Sequence, residues 1–292
     1  MLKKSNILAL VGGGSFPKFS KNKITIYDDH QRLIIRQIRF NNYVTYVRIK
    51  ANSIIGFIKD KIYILNINRL ETIDIIDKDN TYNPIFGISN TINNSLVFAF
   101  PQYNNIGKIQ IEKYLILNNI NKKEKTKFIK AHESNITFIT INKEGTLLAS
   151  GSEKGSYIKI FYILNGDLLA ELKKGKASIE CISFESNGEI IGYSSSVGKV
   201  YIYDINEIKK NIKINDEKNN EKEEKANIIH ETHKIKKKPL SKLKVNDKRN
   251  IIGFIEPKSF VILSIEGNLY KVFYNKKSKC KFNKIEEFLI KI

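Results

Sequence analysis

Cysteine is almost missing from this sequence. Its two cysteines, Cys181 and Cys280, stand apart without a CxxC spacing, which argues against a disulfide framework or a thiolate metal site. No run reaches 18 apolar residues and no signal peptide is found, so a cytosolic chain is expected. Helical heptads are missing too, while Ile, Val, Phe and Tyr are plentiful, and that balance favours strands. There is no HExxH, no nucleophile motif and no His, Cys and carboxylate set at catalytic spacing, so neither an enzyme nor a cofactor is expected. Gly12-Gly13-Gly14 follows an apolar run, but neither GxxxxGK[ST] nor a helix follows, which leaves a loop. Acidic residues are in deficit, 30 against 50 basic, for a net charge of +20. Two readings of that excess stand: a polyanionic partner such as an anionic membrane or nucleic acid, or drift toward Lys, Asn and Ile on a solvated surface.

What is present is a repeat. Residues 132–205 carry short apolar runs parted by polar turns. Ile136–Ile141, Leu147–Ser150, Tyr157–Tyr162 and Asp167–Leu172 read as four strands, with Asn142-Lys143-Glu144-Gly145 and Asn165-Gly166 as turns. After Lys173-Lys174-Gly175 the pattern restarts at Ile179–Phe184, Ile190–Tyr193 and Val200–Asp204. Gly145 and Gly188 lie 43 residues apart, within the ~40–45 of a propeller blade.

Earlier stretches fit the same unit: 43–76, 84–130 with a Lys/Asn-rich loop at 118–125, and an incomplete unit at 7–38. Residues 208–226 are nearly all Lys, Glu and Asn and cannot bury enough apolar surface to fold alone. Leu240, Leu243 and Val245 suit an outer strand of the fifth unit, and 250–289 a last unit. The expected fold is all-β, a WD40-like propeller, as a single domain over 1–292 with a long polar loop at about 206–238.

Several stretches resemble the PROPPIN family, the phosphoinositide-binding seven-bladed propellers of autophagy. They are 6–14, with Leu8-Ala9-Leu10-Val11-Gly12-Gly13-Gly14, then 17–31, 61–64, 125–134 and 145–156. The likeness is greatest to the small, WIPI-like members. In that family a blade and the start of the next precede the Leu-Ala-Leu-Val-Gly-Gly-Gly stretch. The resemblance therefore implies that the first blade is missing, leaving about six blades or part-blades.

The family signature Phe-Arg-Arg-Gly falls on Leu172-Lys173-Lys174-Gly175, where charge is kept and the planar guanidinium fork is not. The resemblance implies two phosphoinositide pockets. His132, Ser152, Ser156, Lys159 and Lys173 form the first. Lys174, Ser195, Lys199 and Tyr201 form the second, with Lys199 and Tyr201 departing from the family's usual Thr and His. A membrane-contact loop is implied at Ile228, Ile229, Lys234, Lys236, Lys237 and Lys238. No metal or cofactor is implied. The implied role is a scaffold binding phosphatidylinositol 3-phosphate or 3,5-bisphosphate, cytoplasmic and peripheral on endosomal, vacuolar or autophagosomal membranes. It would be monomeric, with autophagy-related protein partners and no specific nucleic-acid partner. Asp28, Asp29 and Asp77 suggest an acidic face for a basic peptide. The rival reading is a protein-interaction propeller with weak or lost lipid binding.

Overall fold

The computed structural model describes residues 6–50, 53–78, 84–89, 95–116, 121–208, 235–256, 258–275 and 278–287. These form six sheets, built mostly of antiparallel neighbours in chain order. Sheet one holds β1 (Ile7–Val11), β2 (Lys23–Asp28) and β3 (Leu33–Arg39). Sheet two holds β4 (Val44–Lys50), β5 (Ser53–Ile58), β6 (Lys61–Asn66) and β7 (Thr72–Asp77). Sheet three holds β8 (Gly87–Ile88), β9 (Ser95–Pro101), β10 (Lys108–Ile116), β11 (Asn121–Lys123) and β12 (Lys127–Lys130). Sheet four is built of β13 (Ile136–Ile141), β14 (Leu147–Ser152), β15 (Tyr157–Tyr162) and β16 (Leu168–Lys173). Its outer edge takes one more strand, β20 (Ile235–Lys237), which runs parallel to β16. Sheet five holds β17 (Ile179–Phe184), β18 (Ile190–Ser195), β19 (Lys199–Asp204) and β21 (Ser241–Lys244). Sheet six holds β22 (Asn250–Glu256), β23 (Ser259–Ser264), β24 (Asn268–Asn275) and β25 (Ser278–Glu287).

The all-β propeller expectation holds, and the strand periods explain why. Along β5, β14 and β18 every residue is buried. Each is the second strand of a sheet with a neighbouring sheet on both faces, so both of its side-chain rows are small or apolar. The turns follow their residues. The Asn142 side-chain oxygen accepts from the Thr146 and Leu147 amides at 2.9 Å, and Gly145 takes φ 75°, where a side chain would be strained.

Five apolar clusters lie between successive sheets. One joins sheets one and two through Ile24, Ile26, Ile49 and Ile54. The next joins two and three through Phe57, Ile64, Phe98 and Tyr114. Sheets three and four meet at Ile109, Ile129, Ile139 and Phe161. Sheets four and five meet at Ile158, Leu172, Tyr193 and Tyr203, and five and six at Val200, Ile202, Phe260 and Val272. Among the described residues no cluster joins sheet six to sheet one. The far side of sheet six leaves Ile251, Ile255, Leu263, Ile265 and Phe273 exposed.

β20 was not foreseen. Its backbone pairs Lys236 with Glu171 and Lys237 with Leu172, so the basic run lies along the strand that ends at Lys173. Of the residues expected to touch a membrane, Ile228, Ile229 and Lys234 lie outside the described residues. Lys236 and Lys237 are described in backbone only, and Lys238 is exposed. β21 falls where Leu240, Leu243 and Val245 suggested, paired to β19.

Candidate anion-binding site

The link Lys173-Lys174-Gly175 leaves β16 at the seam between sheets four and five. Its backbone is held from both sides. Lys174 N–H donates to the Ser156 carbonyl at 2.9 Å within sheet four. From sheet five, Tyr203 donates to the Lys173 carbonyl at 2.8 Å and Tyr193 at 3.4 Å. Burial pushes both phenols up, Tyr203 to about 12, so both remain donors. The sequence reading named neither tyrosine. Only the alternation that puts Tyr201 and Tyr203 on one face of β19 pointed toward them.

One seam earlier, several polar groups converge. His132 follows β12 and is buried, with its Nε2 2.9 Å from Ser150 Oγ. The β9–β10 turn sets its position: the Gly107 carbonyl accepts from the amides of Ala131 and His132, both at 2.9 Å. Gly107 has φ 72°, and a Cβ there would stand 1.8 Å from the His132 carbonyl oxygen, so only glycine permits this approach. The Lys159 ammonium donates to the Ala131 carbonyl at 2.8 Å. Ser152 Oγ is buried with no hydrogen-bond partner. Beside it Gly155 packs closely, since a Cβ there would lie 2.4 Å from Ser152 Oγ and 3.7 Å from His132 Nδ1.

The electrostatics suit an anion. Burial first and then the charge of Lys159 push the His132 imidazole down to about 4, against upward pulls from the Ser150 hydrogen bond and the Glu171 charge, with the smallest contribution a downward one from Lys174. At neutral pH the ring is therefore uncharged and can offer one N–H, while the ammonium groups supply the charge. Lys174 is buried, and that burial lowers its own pKa. A phosphate beside it would oppose that shift.

The structure thus brings His132, Ser152 and Lys159 of the first expected pocket together, and adds Ser150 and Gly155. Ser156 and Lys173 are exposed. The second ammonium acting on His132 is that of Lys174, a residue the resemblance put in the second pocket. Lys173 lies on the strand face it shares with Glu171 and Lys159, opposite to Leu172.

The second expected pocket is differently occupied. Ser195 Oγ donates to the Lys199 carbonyl at 3.1 Å and accepts from the Lys199 amide at 3.3 Å, closing the β18–β19 turn. Tyr201 stacks on Tyr193 with centroids 4.7 Å apart and planes 12° from parallel. The Lys242 ammonium lies 5.8 Å from the Tyr201 ring centroid. Register pairs Lys199 with Lys244 and Tyr201 with Lys242, so three lysines share one face at the outer edge of sheet five. Lys242 and Lys244 were legible only as part of a basic run, because strand pairing decides which lysines face this seam.

Comparison with known proteins gives one consistent result. Residues 10–220 match the sequence profile of the PROPPIN family. Autophagy-related protein 18e of Arabidopsis thaliana is 29% identical over 206 residues, covering 70% of this chain and 53% of that protein. SVP1-like protein 2 of Saccharomyces cerevisiae is 29% identical over 226 residues, covering 70% and 50%. The chain spans about half the length of the curated relatives it matches. Among solved structures, Kluyveromyces lactis Hsv2 superposes with a TM-score of 0.72 at 19% identity, covering 97% of this chain and 84% of that one. KlAtg21, solved in complex with the coiled-coil of AgAtg16, superposes with a TM-score of 0.71 at 16% identity, covering 97% and 82%. At those identities the structural likeness establishes the fold alone, and the profile match establishes the lineage. The chain belongs to the PROPPIN family.

Proposed function

We propose that this chain is a non-enzymatic phosphoinositide-binding scaffold, near the small members of its family, with six sheets corresponding to six of the family's seven blades in one propeller domain. The observation that carries the reading is the convergence of polar groups beside the buried His132 ring. These are the ring itself, the partnerless hydroxyl of Ser152 and the Lys159 ammonium at the Ala131 carbonyl, with the charge of Lys174 also felt by the ring. A phosphate monoester on an inositol ring would accept from all of them. Phosphatidylinositol 3-phosphate and its 3,5-bisphosphate are the headgroups proposed. Lys173, exposed at the seam, and the basic run at 236–238 would face the lipid surface, each lysine contributing roughly 1 kcal/mol there. Lysine in place of arginine lowers headgroup selectivity, because a point charge fixes no bidentate geometry. The protein would act in the cytoplasm as a monomer, peripheral on endomembranes, with autophagy-related proteins as partners.

Vesicle flotation tests this. Phosphatidylcholine vesicles carrying phosphatidylinositol 3-phosphate should float the protein, and vesicles without it should not. Lys173→Ala with Lys174→Ala should lower flotation about tenfold or more, by the loss of two charge-assisted contacts. Gly155→Ala drives a methyl group against the Ser152 hydroxyl and should lower it by a similar factor. Undiminished flotation of both variants would remove the pocket from the account.

The rival reading, a protein-interaction propeller with weak or lost lipid binding, also has an observation in its favour. In the second pocket the Ser195 hydroxyl is spent on its own turn and Tyr201 is stacked on Tyr193. Equal flotation with and without the 3-phosphate lipid would decide for it.

A further inference from the structure

Sheet five turns two unlike faces outward at its edge. Along β19 and β21 the period of two sends Val200, Ile202, Leu243 and Val245 to one side, where they pack with residues of sheet six. The other side carries Lys199, Tyr201, Lys242 and Lys244, and all three lysines are exposed. Register sets Lys199 directly across from Lys244, and Tyr201 across from Lys242. Side chains opposed in this way stand about 5 Å apart at Cβ, and like charges there repel. Along β21, Lys242 and Lys244 are about 7 Å apart.

The face is held in shape. Tyr201 is stacked on Tyr193, whose hydroxyl donates to the Lys173 carbonyl at 3.4 Å, so the ring is anchored to the link between sheets four and five. The Lys242 ammonium lies 5.8 Å from the centroid of that anchored ring, a cation–π contact that restrains where its charge sits. One phosphate monoester brings a charge of about −1.5 to −2 at neutral pH, less than three ammonium groups can match. Two phosphates on one small ring bring roughly twice that and can bridge facing lysines, which removes the repulsion between Lys199 and Lys244.

We propose that Lys242 and Lys244, acting with Lys199, bind an inositol ring that bears two phosphates beyond its lipid linkage and set a preference for two phosphates over one. The ring comes either from a bisphosphorylated lipid or from the free inositol phosphate. Where the lipid is the source, the inference rests on the headgroup reading above. Neither Lys242 nor Lys244 was implied by the resemblance. The Ser195 hydroxyl, committed to its own turn, has no part in the site. The face also shares no side chain with the group around His132, so the two can be tested apart.

Paired substitutions test it: Lys242→Gln with Lys244→Gln, and Lys242→Arg with Lys244→Arg. Flotation uses phosphatidylcholine vesicles carrying phosphatidylinositol 3-phosphate, its 3,5-bisphosphate or phosphatidylserine. Calorimetry uses the free headgroups, inositol 1,3-bisphosphate and inositol 1,3,5-trisphosphate. The unsubstituted chain should bind the 3,5-bisphosphate lipid about tenfold more tightly than the 3-phosphate. The glutamine pair should erase that preference and leave 3-phosphate binding within about twofold, while the arginine pair should keep the preference. The same preference among the free headgroups makes the anion alone sufficient, and a preference confined to vesicles makes the lipid the ligand; both support the proposal. A preference that survives in the glutamine pair overturns it, as does equal binding of the two lipids by the unsubstituted chain. An equal loss on phosphatidylserine vesicles would make the face a general contact with anionic surfaces and would also overturn it. Bisphosphate binding that needs these lysines, without any 3-phosphate binding, would remove the His132 pocket from the account and leave this site standing. Binding of neither ligand overturns both.

Discussion

His132 shows how much a single side chain owes to its surroundings. An imidazole ordinarily titrates near 6.5, and here burial and then two lysines push it down to about 4. Between those values an unfolded chain binds the proton and the folded one refuses it. Stability is therefore fully present above about pH 6.5 and is lost as the pH falls toward 4, by at most about 3 kcal/mol. His132→Gln should flatten that slope, read by urea unfolding at pH 7 and pH 5, and an unchanged slope would sink the burial account. An anion bound beside the ring opposes the same lysines, so its binding should draw the ring back upward. His132, Ser152 and Lys159 were legible in the sequence because the resemblance named them. Ser150, Gly107 and Gly155 were not, since each acts by touching a segment distant along the chain: Ser150 lies 18 positions from His132.

Between elements, the seam of sheets two and three carries a charged clamp. Asp74 of β7 accepts from Tyr114 of β10 at 2.6 Å and from Lys123 of β11 at 2.7 Å. Lys123 also lies 3.2 Å from Glu112, whose side chain is 1% exposed. Burial raises the Asp74 carboxyl, but the hydrogen bonds from Lys123 and Tyr114 and the Lys123 charge outweigh it and hold it below the usual range. Lys123→Met leaves the buried Glu112 carboxylate with the Gln110 amide at 2.6 Å and the Thr126 hydroxyl at 2.9 Å but without the cation. Lys123 is itself 40% exposed, so the cost should be about 1–3 kcal/mol rather than the full cost of breaking a buried pair. Thermal melting would check this, and the variant should lose less stability than wild type on acidification below pH 4. The stretch 118–125 reads as a lysine–asparagine loop, yet 121–123 returns as β11. Its signal was never apolar period but two carboxylates waiting on β7 and β10, a match that exists only after the sheets pack.

At the scale of the molecule, the six sheets form a row in which each interior sheet is covered on both faces. Sheets two to five have an apolar cluster on either side, and sheets one and six on one side. Stability in such a row is a sum of sheet and neighbour contributions. Amide hydrogen exchange should therefore be at least about tenfold faster in β2 and β23 than in β9, β14 and β18. Uniform protection across all six sheets would mean that the two ends are covered in solution.

Most strands could be read directly, and β13, β15 and β17 were matched residue for residue. Apolar runs of fixed period with Asn-Gly and Glu-Gly punctuation are local properties, and hydrogen bonding within a sheet follows from neighbours in the chain. The parallel strand β20 was invisible, because polar residues join a sheet only where an open edge happens to lie beside them. The same holds for the chemistry. The resemblance pointed to the basic residues of the link after β16, but which charges act on the imidazole, which serine keeps a free hydroxyl and where only a glycine fits are set by packing between sheets. Those distances depend on contacts across seams, and no pattern along one strand encodes them.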